Sequence, residues 1–310
     1  MLSADIIDAI GNTRLVGISR MSPNESVRLW AKLEGDNPTG SLKDRIAKKM
    51  IEAAEASGEL TPDRIILEAT SGNTGISLAM VARRKGYRLT VVMPDNASEE
   101  RVRLLELFGA EIVYSPGDKG TNGSIEVANA MAQDDRYFLT FQYGNPANPL
   151  AHYEGTGEEI VRDLPQVTHL VAGLGTGGTL TGCGRRLKEH NPGVMVIAAE
   201  PELGELVYGL RSLDAGFIPP ILDETVLDKK FLVDSSDALR ATRELVAREG
   251  VFAGISSGAV IHVAQRIAAD LRDGDVVCVL ADGGWKYLST NAWAAELDRA
   301  EKGVQETLWW

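Results

Sequence analysis

Apolar and polar positions follow two rhythms along the chain. Short β-rich runs stand at 27–34, 64–68, 88–93, 111–114 and 168–172, and continuous apolar runs at 194–199 and 276–281. Runs of this kind predict strands buried on both faces of a parallel sheet. Between them, apolar residues fall at helical spacing over 41–60, 73–85, 98–108 and 178–190, which predicts helices with one face turned inward. The first of these stretches ends near Gly58 and the second just before Gly86, where glycine readily takes the left-handed turn that closes a helix. Strand–helix alternation over the whole length predicts an α/β protein with helices on both sides of its sheets. No internal repeat, low-complexity tract or Pro/Ser-rich linker marks a domain boundary.

Composition narrows the function. The 310 residues suggest about two domains. Thirty-two basic against 44 acidic side chains leave a net charge of -12, which argues against a nucleic-acid partner, since phosphate backbones recruit excess Lys and Arg. An anionic ligand must then be held by local devices: a helix N-terminus, a glycine-rich loop, or a single placed Arg. Two cysteines, Cys183 and Cys278, exclude a disulfide framework in practice, and with four scattered histidines they offer no ligand cluster for a metal. The N-terminal stretch carries acids and no basic leader region, and the longest apolar runs fall short of the ~18 residues of a membrane span. The expectation is a cytoplasmic protein.

Parallel sheets bind ligands beyond the carboxyl ends of their strands, so four loops after predicted strands carry the chemistry. In 37–45 (NPTGSLKDR), Lys43 follows a Pro/Gly turn at the start of a helix. It reads either as a Schiff-base lysine, activated by partial burial, or as a surface lysine like Lys48 and Lys49. In 68–75 (EATSGNTG), Thr70, Ser71, Asn73 and Thr74 crowd a strand-to-helix turn. They suit a nest for a carboxylate or phosphate, or more simply a helix cap. The loop 173–179 (GLGTGGT) is a phosphate-loop candidate that also matches G-x-G-x-x-G, with Glu200 at the end of the next strand. A dinucleotide site is therefore one reading. The interleaved hydroxyls of Thr176 and Thr179 favour a terminal phosphate, and four glycines exceed what a tight turn requires. Finally, 254–258 (GISSG) satisfies G-x-S-x-G between 251–253 and a helix, the nucleophile elbow of a hydrolase. That fold needs its acid and then its histidine after the serine; His262, six residues on, is the last histidine, so the base is missing. Ser256 reads better as a hydroxyl facing a bound ring, or as a plain cap.

Taken together, Ile10-Gly11-Asn12-Thr13, PTGSLKDR, TSGNTG, GTGGT, GISSG and Ala281-Asp282-Gly283-Gly284, in this order, resemble the cysteine synthase family of fold-type II pyridoxal-phosphate enzymes. The resemblance covers nearly the whole chain. It implies the tryptophan synthase β-like fold: two lobes, each with a mainly parallel sheet flanked by helices. The large lobe would hold 1–34 and 146–310 and the small mobile lobe 35–145, with pyridoxal 5'-phosphate in the cleft between them. Lys43 resembles the lysine that holds the cofactor and moves the substrate Cα proton. Asn73 resembles the residue at its 3′-oxygen. Gly175, Thr176, Gly177, Gly178 and Thr179 resemble its phosphate cradle, and Ser256 the hydroxyl at its ring nitrogen. Thr70, Ser71, Gly72 and Thr74, with Gln142, resemble the grip on the substrate α-carboxylate. A hydroxyl in place of a carboxylate at the ring nitrogen makes a milder electron sink, which favours loss of a β-substituent over transamination. The implied reaction is β-replacement to L-cysteine through an α-aminoacrylate.

The stretch before Phe217-Ile218-Pro219 departs from the uncharged, glycine-rich pattern of the O-acetylserine enzymes, because it carries Arg211. A guanidinium offers a planar fork to a phosphate. With Gln142-Tyr143-Gly144-Asn145-Pro146 and the 284–290 stretch, it is similar to the O-phosphoserine-dependent M-type cysteine synthases of actinobacteria, which implies O-phosphoserine as donor and sulfur from a small carrier protein ending in a thiocarboxylate, or from sulfide. The plainer reading of Arg211 is a surface residue paired with Asp214. Alternatives within the family are an O-acetylserine sulfhydrylase, a cystathionine β-synthase-like enzyme and a serine/threonine dehydratase; outside it stands an NAD-binding oxidoreductase. The resemblance also implies a homodimer. Trp309 and Trp310 predict a docked tail, either on the body of the protein or as a lid over the site. The four histidines and two cysteines read as structural.

Overall fold

The computed structural model describes residues 2–290, 292 and 293. From the N-terminus the chain lays down β1 (Leu15–Gly17), β2 (Val27–Leu33), α1 (Lys43–Ser57), β3 (Ile65–Ala69), α2 (Asn73–Lys85) and β4 (Arg88–Pro94). It continues through α3 (Glu99–Leu107), β5 (Glu111–Ser115), α4 (Gly120–Met131) and β6 (Tyr137–Leu139). Next come α5 (Ala147–Ala151), a π-helical turn (His152–Gly157), α6 (Glu158–Asp163), β7 (His169–Gly173), α7 (Gly178–His190) and β8 (Met195–Pro201). The described order ends with β9 (Lys229–Val233), α8 (Ser235–Glu249), α9 (Ile255–Asp270) and β10 (Gly274–Leu280), followed by a 3-10 turn (Gly284–Thr290).

Two sheets result. One runs β5-β4-β3-β6 with every pair parallel. The other runs β1-β2-β10-β7-β8-β9, parallel except for the antiparallel edge strand β1. The continuous apolar runs are the inner strands, as burial on both faces requires: all of β3 is buried, and so is β10 beyond its first residue. Cys278 pairs with Ala31 on one side and Val171 on the other. That placement inside the sheet raises its thiol to about 12 and makes it a packing residue.

Helices cover both faces of each sheet. Leu239 of α8 and Val260 and Val263 of α9 pack with Leu29, Val171 and Val276 of the large sheet. On the opposite face Ile160 of α6 and Leu180 and Leu187 of α7 meet Leu170, Val196 and Val277. In the smaller sheet, Ile46 and Met50 of α1 and Leu78 and Val81 of α2 cover Ile66, Val91 and Met93. Ala128 of α4 meets Leu67 and Val92 on the other side. Each such Leu, Ile or Val contributes roughly 1.5–3 kcal/mol by leaving water, so packing on the sheets outweighs modest helix propensity.

Two local expectations shift. The helix predicted from 41 starts at Lys43, because residues 40–42 are drawn into a short ladder with the chain after β10. The segment 251–253 before the G-x-S-x-G motif is no strand; it makes a single bridge, Ala253 to Gly283. The nucleophile-elbow geometry therefore lacks its strand.

Candidate active site

Lys43 is the first residue of α1, and the turn before it is stapled to the end of β10. Leu42 N–H donates to Ala281 C=O at 2.9 Å, Gly283 N–H donates to Gly40 C=O at 3.1 Å, and Ser41 bridges Asp282. This holds the amine at the carboxyl end of the large sheet. Loss of surrounding water draws its pKa down to about 8, with the Asp282 carboxylate pulling the other way. A depressed lysine of this kind is a competent nucleophile and base near neutrality.

The glycine-rich loop runs from β7 into α7. Gly177 has φ +82° and caps the helix, a conformation that L side chains rarely adopt. At Gly178 a Cβ would collide with Asn148 Oδ1. Asn148 in turn donates to Thr176 Oγ1 at 3.2 Å and to Gln142 C=O at 2.8 Å. Its Oδ1 is buried without a hydrogen-bond partner among the described residues. Thr179 Oγ1 lies 3.2 Å from His152 Nε2, whose Nδ1 lies 3.0 Å from Thr156 Oγ1. Burial holds His152 well below the ordinary histidine pKa, so it serves here as a neutral brace for Thr179. Exposed N–H groups at such a helix start are a ready anion site.

Ser256 is the second residue of α9, whose cap position is taken by Gly254; the plain-cap reading therefore does not apply. Its hydroxyl lines one cavity of about 600 Å³ together with Lys43, Asn73, Gly175, Thr176, Gly177 and Thr179. Gly178 sits within the same loop, against Asn148.

A second chamber, of about 690 Å³, adjoins the first and shares Lys43, Asn73 and Thr176 with it. Thr70, Ser71, Gly72, Thr74, Gln142 and Arg211 all line it. Helix α2 has Gly72 at its cap and no side-chain cap bond, so the neighbouring hydroxyls do not serve as its cap. Thr74 Oγ1 donates to Gln142 Oε1 at 2.7 Å, which couples the two predicted carboxylate contacts. The Arg211 guanidinium rests against the rings of Tyr143 and Phe217, 5.1 and 4.8 Å from their centroids. No ion pair joins it to Asp214 among the described residues.

Several residues of the site carried no motif. Arg101, from α3, lines the second chamber, donates to Ser71 C=O at 3.1 Å and stacks on Tyr208 at 4.7 Å. The polar pattern around it reads as an ordinary exposed helix face. Asp282 is buried, with its pKa raised by burial; its Oδ2 accepts from Asn73 Nδ2 at 2.7 Å and from Tyr287 Oη at 2.5 Å. Lys286 donates to Asn73 Oδ1 at 2.6 Å. The 281–284 motif pointed to this loop without assigning chemistry to it.

The rival readings fare poorly. Glu200, the acid a dinucleotide site would turn to a ribose, is fully buried, accepts from Leu213 N–H at 2.6 Å and pairs with Lys230 at 3.0 Å. His262 lies 3.6 Å from Asp237, so its ring is engaged there. A half-buried amine, an anion-binding helix start, a neutral hydroxyl and an amide around one slot fit a flat, phosphorylated aldehyde. The braced glycine loop is the strongest sign, since side chains at its glycines would fill the slot or break its support.

Comparison with known proteins agrees. Residues 6–283 match the family model of the pyridoxal-phosphate dependent enzymes, and the chain belongs to that family, with pyridoxal phosphate as its cofactor. Cysteine synthase B of Salmonella typhimurium is 42% identical over 288 residues, which span 93% of this chain and 95% of that one. A solved O-ureido-L-serine synthase is 40% identical, with a TM-score of 0.89 over 94% of this chain and 96% of its own. The cysteine synthase of Entamoeba histolytica is 32% identical, with a TM-score of 0.90 over 98% and 96%. Within the pyridoxal-phosphate enzymes, the chain is a member of the cysteine synthase family. No helix among the described residues is long and apolar enough to cross a membrane.

Proposed function

We propose that this chain makes L-cysteine by β-replacement on an activated serine, with O-phosphoserine as the preferred donor. The supporting observation is the charge of the second chamber: Lys43, Arg101 and Arg211 line it and, among the described residues, no Asp or Glu does, in a protein of net charge -12. A phosphate ester brings negative charge that an acetyl ester lacks. Arg211, already resting against two rings, gives up little freedom when it meets that charge.

In this reading Lys43 holds pyridoxal phosphate, the Gly175–Thr179 loop and the start of α7 take its phosphate, Asn73 meets its ring oxygen and Ser256 its ring nitrogen. When bound, the cofactor supplies an electron sink conjugated to the substrate Cα. Thr70, Ser71, Thr74 and Gln142 orient the α-carboxylate, so that the Cα hydrogen faces Lys43 Nζ. The amine takes that proton, contributing about 10²- to 10⁴-fold. Arg211 and Arg101 receive the departing phosphate. Across the reaction the Cα–H and Cβ–O bonds break, a Cβ–S bond forms, and Lys43 returns the proton to Cα. Sulfide or the thiocarboxylate of a small carrier protein is the sulfur donor, and either is an anion that the same cations attract; sulfide gives cysteine directly, whereas the carrier gives a thioester whose acyl C–S bond a separate hydrolysis breaks to release cysteine and the carrier's carboxylate. Residues 35–145 act as a small lobe that closes on the remainder, and the enzyme works as a homodimer.

Turnover of O-phosphoserine against O-acetylserine tests the donor. Wild type should favour O-phosphoserine, and Arg211→Ala should lower the ratio about tenfold or more, the usual effect of losing a charge-assisted bond. An unchanged ratio, or a wild type that favours O-acetylserine, overturns the reading.

A further inference from the structure

Lys286 is the second half-buried amine near this site. It stands on the 3-10 turn after β10 and lines neither chamber. Instead it borders a smaller cavity with Asn73, Glu100, Arg101 and Tyr287. Its Nζ lies 2.6 Å from Asn73 Oδ1, while Asn73 Nδ2 lies 2.7 Å from Asp282 Oδ2. The electrostatic neighbours of Lys286 are Asp282 and Asp44, which attract it, and Arg101, which repels it.

We propose that Lys286 is a positioning residue: together with Asp282 it locks the Asn73 amide in one orientation, with the amide nitrogen presented to the cofactor's ring oxygen. The inference rests on reading Asn73 as a contact of that oxygen. A side-chain amide has two nearly isosteric orientations, and only its partners choose between them. An ammonium can only donate, so it claims Oδ1. An ionised carboxylate can only accept, so it claims one hydrogen of Nδ2. Flipping the amide would set nitrogen against ammonium and oxygen against carboxylate, two repulsive contacts in place of two charge-assisted bonds. Nδ2 carries a second hydrogen, which remains for an oxygen in the first cavity. The lock is itself braced. Tyr287 Oη donates to Asp282 Oδ2 at 2.5 Å, Gly254 N–H donates to Asp282 C=O at 3.0 Å, and Ser41 bridges the Asp282 backbone.

The test compares holoenzyme of wild type, Lys286→Met, Lys286→Arg and Asn73→Ala by pyridoxal-phosphate retention in equilibrium dialysis and by the position of the visible absorbance band. Lys286→Met should weaken retention about tenfold and shift the band. Lys286→Arg, which keeps a donor-only cation, should restore most of both. Adding Asn73→Ala to Lys286→Met should cost little beyond Asn73→Ala alone, because the two act through one contact. Lys286→Ala serves in place of the methionine variant if that one does not melt cooperatively. Wild-type retention and band in a folded Lys286 variant, with both altered in Asn73→Ala, overturn the inference alone. If Asn73→Ala alters neither, the reading of Asn73 itself has failed.

Discussion

At the residue scale, the behaviour of Lys43 follows from where its amine stands. Loss of surrounding water disfavours the ammonium, the Asp282 carboxylate opposes that, and the balance lies at about 8. At pH 7 roughly one amine in ten is then free, against far fewer than one in a hundred for an exposed lysine. Only the neutral amine attacks an aldehyde. Capture of pyridoxal phosphate by apoprotein should therefore accelerate about tenfold per pH unit below 8 and level off above it, which stopped-flow absorbance would follow. A profile still climbing steeply at pH 10 would mean an unperturbed lysine. The residues on motif loops, Lys43, Asn73 and Thr176, were readable because each loop follows a strand whose end must open on the cleft; Ser256, which no strand precedes, was readable from its G-x-S-x-G motif alone. Arg101 and Lys286 were not, and the motif that holds Asp282 gave that residue no chemistry: only the packing of distant segments brings the three to Asn73 and Ser71.

Elements hold these residues in place, and α1 is anchored by buried charge. Arg45 binds Glu34 at 2.6 Å and Glu159 at 2.6 Å, and Lys32 pairs with Glu159 at 2.7 Å, all nearly or fully buried. The cluster ties α1 to β2 and α6. Burial alone would raise the Glu159 carboxyl, but Arg45 and Lys32 hold it down at about 2. A carboxyl depressed on folding stabilises the protein above its ordinary range and loses that contribution as pH falls toward 2. Glu159→Gln takes the carboxylate from buried Lys32 and leaves Arg45 with Glu34 alone, so urea denaturation should show about 3–5 kcal/mol lost near neutral pH. The loss should shrink on acidification; a change under about 1 kcal/mol would show the cluster to be dispensable. Lys32 and Glu34 interrupt an apolar run in the sequence, but nothing local names their partners, and Glu159 lies 114 residues from Arg45.

For the whole molecule, the α/β architecture was written in the long apolar runs, which became the inner strands of both sheets. The short edge strands β1 and β6 span three residues each, too few for a period to show. Helix α4 opens Gly-Thr-Asn-Gly, a poor helix sequence that holds through its packing on β3 and β4. The tail with Trp309 and Trp310 lies outside the described residues. What unites the molecule is one slot at the carboxyl ends of the large sheet, with a single lysine among the described residues, Lys43, lining both of its chambers. Borohydride reduction of the pyridoxal-phosphate-loaded protein, followed by peptide mass mapping, measures this most directly. The pyridoxyl mass should appear on the peptide that carries Lys43; label on Lys286 or another lysine, or no label at all, would contradict the account.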